Sequence, residues 1–290
     1  MSTHTFTGEK GTRLDIFISS LLPDLSRSYI AKQIVTQKVT VNKRLAVPGL
    51  KLKPGDIVYF SLKSLKPKPT KLIDLPLIYE DDFCLIIDKP SGILTHQKGF
   101  IGEEATVASF ILPKLDIKLS GNRAGIVHRL DRGTSGVIIA GKTDVAVKYL
   151  QRQFAKRQIK KTYLALIKGK PEQVKATINM PIERNPNRPS TFRVGPNGKA
   201  AETYYEIIKQ YNDYTMLKIH PKTGRTHQIR VHLKAIGHPI VGDVLYGGEP
   251  AERIMLHASE LEVILPNKGR LSFNSPLPGE FNDYLTVNHG

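Results

Sequence analysis

Between residues 63 and 71 the chain reads Lys-Ser-Leu-Lys-Pro-Lys-Pro-Thr-Lys, and no packed helix or central strand can run through it. Each proline fixes φ and removes a backbone donor, while four lysines so close together resist burial. The stretch reads as an extended linker. The chain should therefore fold as two units, a small one over residues 12–62 and a large one over residues 75–285, with residues 63–74 between them. Charge divides the same way. The first seventy residues carry twelve Lys and Arg against four acids, +8, whereas the whole chain of 290 carries 43 against 26, +17. Such an excess points to a polyanionic partner or surface, and nucleic acid is the obvious candidate.

Several classes fall away at once. The only cysteine, Cys84, sits in the apolar run Phe83–Ile87, so an intrachain disulfide and a cysteine-based zinc site are excluded. No stretch is apolar enough to span a bilayer and residues 1–10 lack the apolar core of a signal peptide, so no membrane association and a cytoplasmic location are expected. Apolar runs recur along the whole chain, which argues against disorder.

In the first segment Leu14, Phe17, Ile18, Leu21 and Leu22 recur at helical spacing, predicting a helix that ends before Pro23. Ser26 is placed to cap a second helix running to about Gln37, with Ile30 and Ile34 inward and Arg27, Lys32 and Lys38 in solvent. Strands follow at 38–42 and 56–60. This predicts a helix pair on a small sheet, with Arg27, Lys32 and Lys43 as candidate RNA contacts. From Leu75 strands dominate, at 77–80, 83–88, 137–140, 162–167, 203–208, 214–220 and 270–273, with a helix at 144–157. The crossovers are irregular, so the fold class is α+β: a large mixed, mainly antiparallel sheet flanked by helices.

Gly136–Thr143 literally fits the phosphate-loop pattern G-x-x-x-x-G-K-[ST]. Its four inner residues, Val-Ile-Ile-Ala, are strand material that will not curl around a phosphate, so a buried strand is expected instead. His227, His232, His238 and His257 lack the spacing of a metal site, and no metal is expected. Gly125-Ile-Val-His-Arg-Leu-Asp-Arg-Gly-Thr-Ser-Gly136 is more informative. An apolar approach leads to a polar turn carrying Asp131 between Arg129 and Arg132, whose charge favours the carboxylate. Such a group can serve as nucleophile or base; the alternative is a structural loop in which Asp131 caps the amides of Thr134 or Ser135. In Lys222–His232, Thr226 could cap a helix with Ile229 and Leu233 inward and Arg225, Gln228 and His232 on other faces, an array suited to phosphate and base contacts or to a solvated surface.

These segments carry a resemblance. His128–Gly136, Gly224-Arg-Thr-His-Gln-Ile-Arg230, Gly237–Asp243 and Met255-Leu-His-Ala258 resemble, in order, the signature motifs of the RluA-type RNA pseudouridine synthases. Lys160–Ala165 resembles that family's tyrosine motif and Gly198–Thr203 its lysine-bearing hairpin. Leu25–Ser28 and Val39–Asn42 are similar to the small RNA-binding module named after ribosomal protein S-four. The resemblance spans roughly residues 12–285. It implies that Asp131 is the catalytic aspartate, attacking the target uridine at the anomeric carbon or at ring carbon 6, so that uracil turns and rejoins the sugar through carbon 5. It further implies that Tyr163 stacks on the base and helps remove the carbon-5 proton. Arg230 would pair with Asp131, Arg129 would fill the space left by the flipped nucleotide, and Leu256 would pack under uracil. His128, Arg225 and Gln228 would contact RNA. No cofactor is implied. The expected partner is ribosomal RNA, with transfer RNA second, and the expected state a monomer.

Overall fold

The computed structural model describes residues 2–22, 25, 27–62, 73–96, 104–115 and 125–289. The expected linker therefore lies outside the described residues but for Ile73 and Asp74, as does the expected cap, Ser26. The chain divides into two compact units, Met1–Leu72 with His96–Ala105, and Ile73–Thr95 with Thr106–Gly290.

The smaller unit has four strands, β1 (Ser2–Thr5), β2 (Val39–Val41), β3 (Arg44–Leu45) and β4 (Ile57–Phe60), and two helices, α1 (Leu14–Leu21) and α2 (Arg27–Val35). Its sheet runs β1-β4-β2-β3, wholly antiparallel. Leu14 and Ile18 of α1 meet Ile30 and Ile34 of α2 over Val39, Val58 and Phe60, the helical spacing legible in the sequence. Asp15 is the buried exception. It is held by Arg13 and Arg27, each at 2.9 Å, so Arg27 has a structural bond besides its exposure. Lys32 and Lys43 are exposed.

The larger unit continues with β5 (Leu77–Glu80), β6 (Cys84–Lys89), α3 (Val107–Ile111), β7 (Ser135–Gly141), α4 (Asp144–Ala155), β8 (Lys160–Lys168), β9 (Lys175–Asn179), β10 (Ile182–Arg184), β11 (Phe192–Val194), β12 (Glu202–Gln210), β13 (Tyr214–Pro221), α5 (Gln228–Ala235), β14 (Leu256–Leu265), β15 (Gly269–Asn274) and α6 (Gly279–His289). Nine strands form one sheet in the order β5-β6-β7-β14-β8-β13-β12-β9, with β15 also on β14, while β10 and β11 make a separate hairpin. Only the β7–β14 pairing is parallel, so the sheet is mixed and mainly antiparallel.

Every residue of β7 is buried, and this strand occupies the segment that matched the phosphate-loop pattern. Gly136 shows why glycine is needed there: φ is +109°, and a Cβ would stand 2.1 Å from the carbonyl oxygen of Ala258 on β14. Thr143 caps α4 by accepting from the Ala146 amide. The match is thus a central strand and a helix cap, with no loop to cradle a phosphate. No helix among the described residues is long and apolar enough to cross a bilayer.

Candidate active site

The loop before β7 is stapled to the turn that follows β6. Lys89, fully buried, donates from Nζ to the carbonyls of Pro90 (2.9 Å), Ile93 (2.8 Å) and Arg132 (3.2 Å). Thr95 donates to the Leu130 carbonyl and accepts from its amide, and Ser91 donates to the Gly133 carbonyl. Residues 130–133 are thereby fixed on both sides of Asp131. Burial pushes the Lys89 ammonium down to about 7, against the pull of the Asp131 carboxylate. The Thr134 amide donates to the Asp131 backbone carbonyl at 3.1 Å. The capping alternative therefore falls to the main chain, and the Asp131 side chain stays available.

That side chain looks into a cavity of about 530 Å³ lined by the 127–134 loop, the end of α4, β8, the 221–230 segment and Leu256. Asp131 is the one acid among the described residues of the lining. Arg129, Arg157, Lys161, Lys222, Arg225 and Arg230 supply the cations, an arrangement that attracts a polyanion towards a single carboxylate. Tyr163 and Leu256 belong to its apolar part, with Val127, Phe154 and Ile159. Burial first, and the Asp131 charge second, raise the Tyr163 hydroxyl well above the ordinary tyrosine value, so the ring stands in the cavity protonated. Lys161, two residues before it on β8, is pushed down by burial to about 8.

Arg230 does approach Asp131, with Nη1 3.4 Å from Oδ2, but its principal partner is another residue. Asp243, 1% exposed, accepts from Nε at 2.7 Å and from Nη2 at 2.8 Å, and the Tyr246 ring lies 4.8 Å from the guanidinium carbon. Burial alone would lower Arg230, but the hydrogen bonds and charge of Asp243 outweigh it and leave the guanidinium held above its ordinary value.

Two expectations for the 222–232 segment need correction. Thr226 does not cap α5. The N-cap is His227, in the left-handed region at φ 56°, with no side-chain cap bond. Gln228 and His232 are not on open faces either, although Gln228 borders the cavity. Gln228 is 4% exposed and spends its amide internally: Nε2 donates to the Glu202 carbonyl and Thr203 Oγ1, and Oε1 accepts from Thr223 and from the Arg225 amide. His232 is fully buried between Thr203 and the Met180 carbonyl. The reason is that α5 is covered on two sides, Ile229 and Leu233 entering the main core while Val231 packs with Ile182, Tyr246 and Phe192. Arg225 remains exposed at the cavity, its Nε on the Ala200 carbonyl. His128 borders the cavity, yet its Nε2 accepts from the Ile139 amide at 3.0 Å and its ring stacks on Phe154. Burial pushes it down to about 3, so it is a neutral anchor rather than a cationic contact. Lys89, Asp243 and Tyr246 carry no mark in the sequence beyond the motifs around them, because each acts through a partner remote along the chain.

Among the described residues no group of three His, Cys, Asp or Glu could hold a metal ion. Residues 83–235 match the family model described as RNA pseudouridylate synthase, and residues 12–58 match the S4 domain. A ribosomal large subunit pseudouridine synthase D of Nitrosomonas europaea is 36% identical, the match covering 93% of this chain and 82% of that protein. The protein of the same name in Salmonella typhimurium is 35% identical, covering 95% and 90%. Of solved structures, human RNA pseudouridylate synthase domain containing 1 superposes with a TM-score of 0.58 at 26% identity, over 72% of this chain and 86% of that one.

Proposed function

Since this chain belongs to the RNA pseudouridylate synthase family, whose members isomerise uridine in RNA to pseudouridine, we propose that Asp131 is its nucleophile and large-subunit ribosomal RNA its substrate. The observation that carries the first part is that Asp131 is the one carboxylate among the described residues lining a cavity that six cations border and to which Tyr163 and Leu256 contribute apolar surface. A flipped uridine entering there brings its phosphates to the cationic wall and its ring to the apolar one. Asp131 attacks at the anomeric carbon or at carbon 6, the base–sugar nitrogen bond breaks, and uracil turns between Tyr163 and Leu256. Carbon 5 then bonds to the sugar as Asp131 departs unchanged, and the proton lost from carbon 5 is matched by one gained at the freed ring nitrogen 1, so composition does not change. Arg129, exposed at the rim, takes the place of the flipped nucleotide in the stack, for which a planar cation is suited. The target RNA is inferred from the names of the two relatives above, which match nearly the whole chain.

The test is release of tritium from carbon-5-labelled uridine in large-subunit ribosomal RNA transcribed in vitro. The wild-type chain should release it and Asp131→Asn should not, while RNA affinity stays within about threefold. Normal turnover by the variant would remove Asp131 from the mechanism; an inactive wild type would remove this RNA as substrate.

A further inference from the structure

His227 is the residue the catalytic scheme leaves unused. It borders the cavity, and as the N-cap of α5 it holds a left-handed backbone conformation that disfavours a non-glycine residue, with no side-chain cap bond. Nε2 lies 3.8 Å from Asp131 Oδ2, about 0.8 Å beyond an ordinary hydrogen bond. On the other side Nδ1 lies 2.7 Å from the Tyr246 hydroxyl, and that hydroxyl oxygen already accepts from the Phe192 amide of the β10–β11 hairpin at 3.0 Å.

These contacts favour one tautomer. Tyr246 has one proton to give, and among the described residues Nδ1 is the acceptor within reach of it. If Nδ1 carried the proton instead, the tyrosine proton would be left without an acceptor and Nε2 would turn a lone pair towards the Asp131 carboxylate. The arrangement that satisfies every group has Tyr246 donating to Nδ1 and the proton on Nε2, aimed at Oδ2. Oδ2 is also the oxygen that Arg230 Nη1 approaches. Both groups thus face one carboxylate oxygen, and no side chain among the described residues donates to Oδ1.

We propose that His227, with its tautomer set by Tyr246, is a positioning residue that holds Asp131 by Oδ2 and presents Oδ1 to the uridine, and that the Phe192–Tyr246–His227 chain ties the β10–β11 hairpin to the nucleophile. The inference rests on the assignment of Asp131 as nucleophile. The charged and titratable groups around His227 fit a neutral ring: burial lowers it first, Arg230 and Arg129 lower it further, and Asp131 and Asp243 oppose them. Removing the Tyr246 hydroxyl takes away the donor that favours the neutral form. His227 then protonates more readily and closes on Asp131 as an imidazolium, withdrawing the nucleophile.

The experiment uses the full chain. Nitrogen-15 histidine spectra of the wild type, with the His227 signal assigned by its loss in His227→Gln, should show a neutral ring protonated at Nε2; protonation at Nδ1 overturns the proposal whether or not any RNA is turned over. Single-turnover tritium release from large-subunit ribosomal RNA then follows. Tyr246→Phe should lose about tenfold or more in rate at the acidic end of the pH profile, with RNA affinity unchanged, and should recover as pH rises, where the wild type is flat. His227→Gln, which keeps an N–H donor, should retain more activity than His227→Ala. A pH-independent Tyr246→Phe with the wild-type rate, or equal loss in the Gln and Ala variants, overturns it. Failure of the substrate assignment shows separately, as a wild type inert on this RNA with the Nε2-protonated ring intact.

Discussion

Asp243→Asn isolates the largest electrostatic commitment around Asp131. In the wild type two buried carboxylate–guanidinium bonds, at 2.7 and 2.8 Å, hold Arg230, and the 3.4 Å approach to Asp131 takes up only part of the remaining charge. Removing one partner of a buried pair costs about 3–5 kcal/mol. Asp131 remains as a counter-charge, which places this case at the lower end, about 3 kcal/mol. For a unit of this size that corresponds to a fall of about 6–12 °C in the melting temperature, read by calorimetry as the transition of the larger unit. Function should suffer separately. With Asp243 neutral, the guanidinium no longer divides its charge and draws fully onto Asp131, so single-turnover rate should fall about tenfold or more with RNA affinity unchanged. In an Arg230→Met background the same substitution should add little, because the bond it removes is already gone. A melting shift under about 2 °C, or full additivity with Arg230→Met, would refute the reasoning.

His128 is pushed down to about 3 in the folded chain, whereas an unfolded histidine titrates near 6.5. Between those values the unfolded chain binds one more proton, so its contribution to stability is present above about 6.5 and lost towards pH 3, at about 1.4 kcal/mol per pH unit. Urea unfolding of His128→Gln at pH 6 and 4.5 should show a slope shallower by that amount; an unchanged slope would mean that the ring is protonated when folded. Gly136→Ala drives a methyl to 2.1 Å from the Ala258 carbonyl and should destabilise the larger unit by several kcal/mol, seen as loss of soluble protein or a lowered melting point. Lys32→Gln with Lys43→Gln removes two exposed charges from the smaller unit. The slope of log affinity against log salt should become shallower by up to about 2, measured by filter binding, and an unaltered slope would take both lysines out of the RNA contact.

The arrangement of charge also separates two tasks. The smaller unit carries exposed cations on a core of its own, which suits grip on a phosphate backbone. The cavity cations stand around one carboxylate and act locally. On the proposed function, bulk charge is expected to set how strongly RNA is held, and the geometry around Asp131 what happens to the base.

Much of this was legible in the sequence where cause and effect lie close along the chain. Helical spacing from Leu14 to Leu22 marked α1, the run at 162–167 read as a strand and lies in β8, and the Val-Ile-Ile-Ala run declared itself a strand because β-branched side chains resist forming a phosphate nest. The motifs around Asp131 and Arg230 marked the site for the same reason: several reactive types crowd into a short polar turn between apolar runs. The reading of α5 failed because periodicity presumes one buried face, and this helix is buried from Gln228 to Leu233. Tertiary structure alone decided that Arg230 belongs first to Asp243, that Lys89 staples the loop 43 residues later, and that His227 lies beside Oδ2. A sequence shows which groups are present and how each short segment tends to fold. Partnership between buried charges depends on which of many distant groups arrive within about 3 Å of one another, and only the closed fold selects among them.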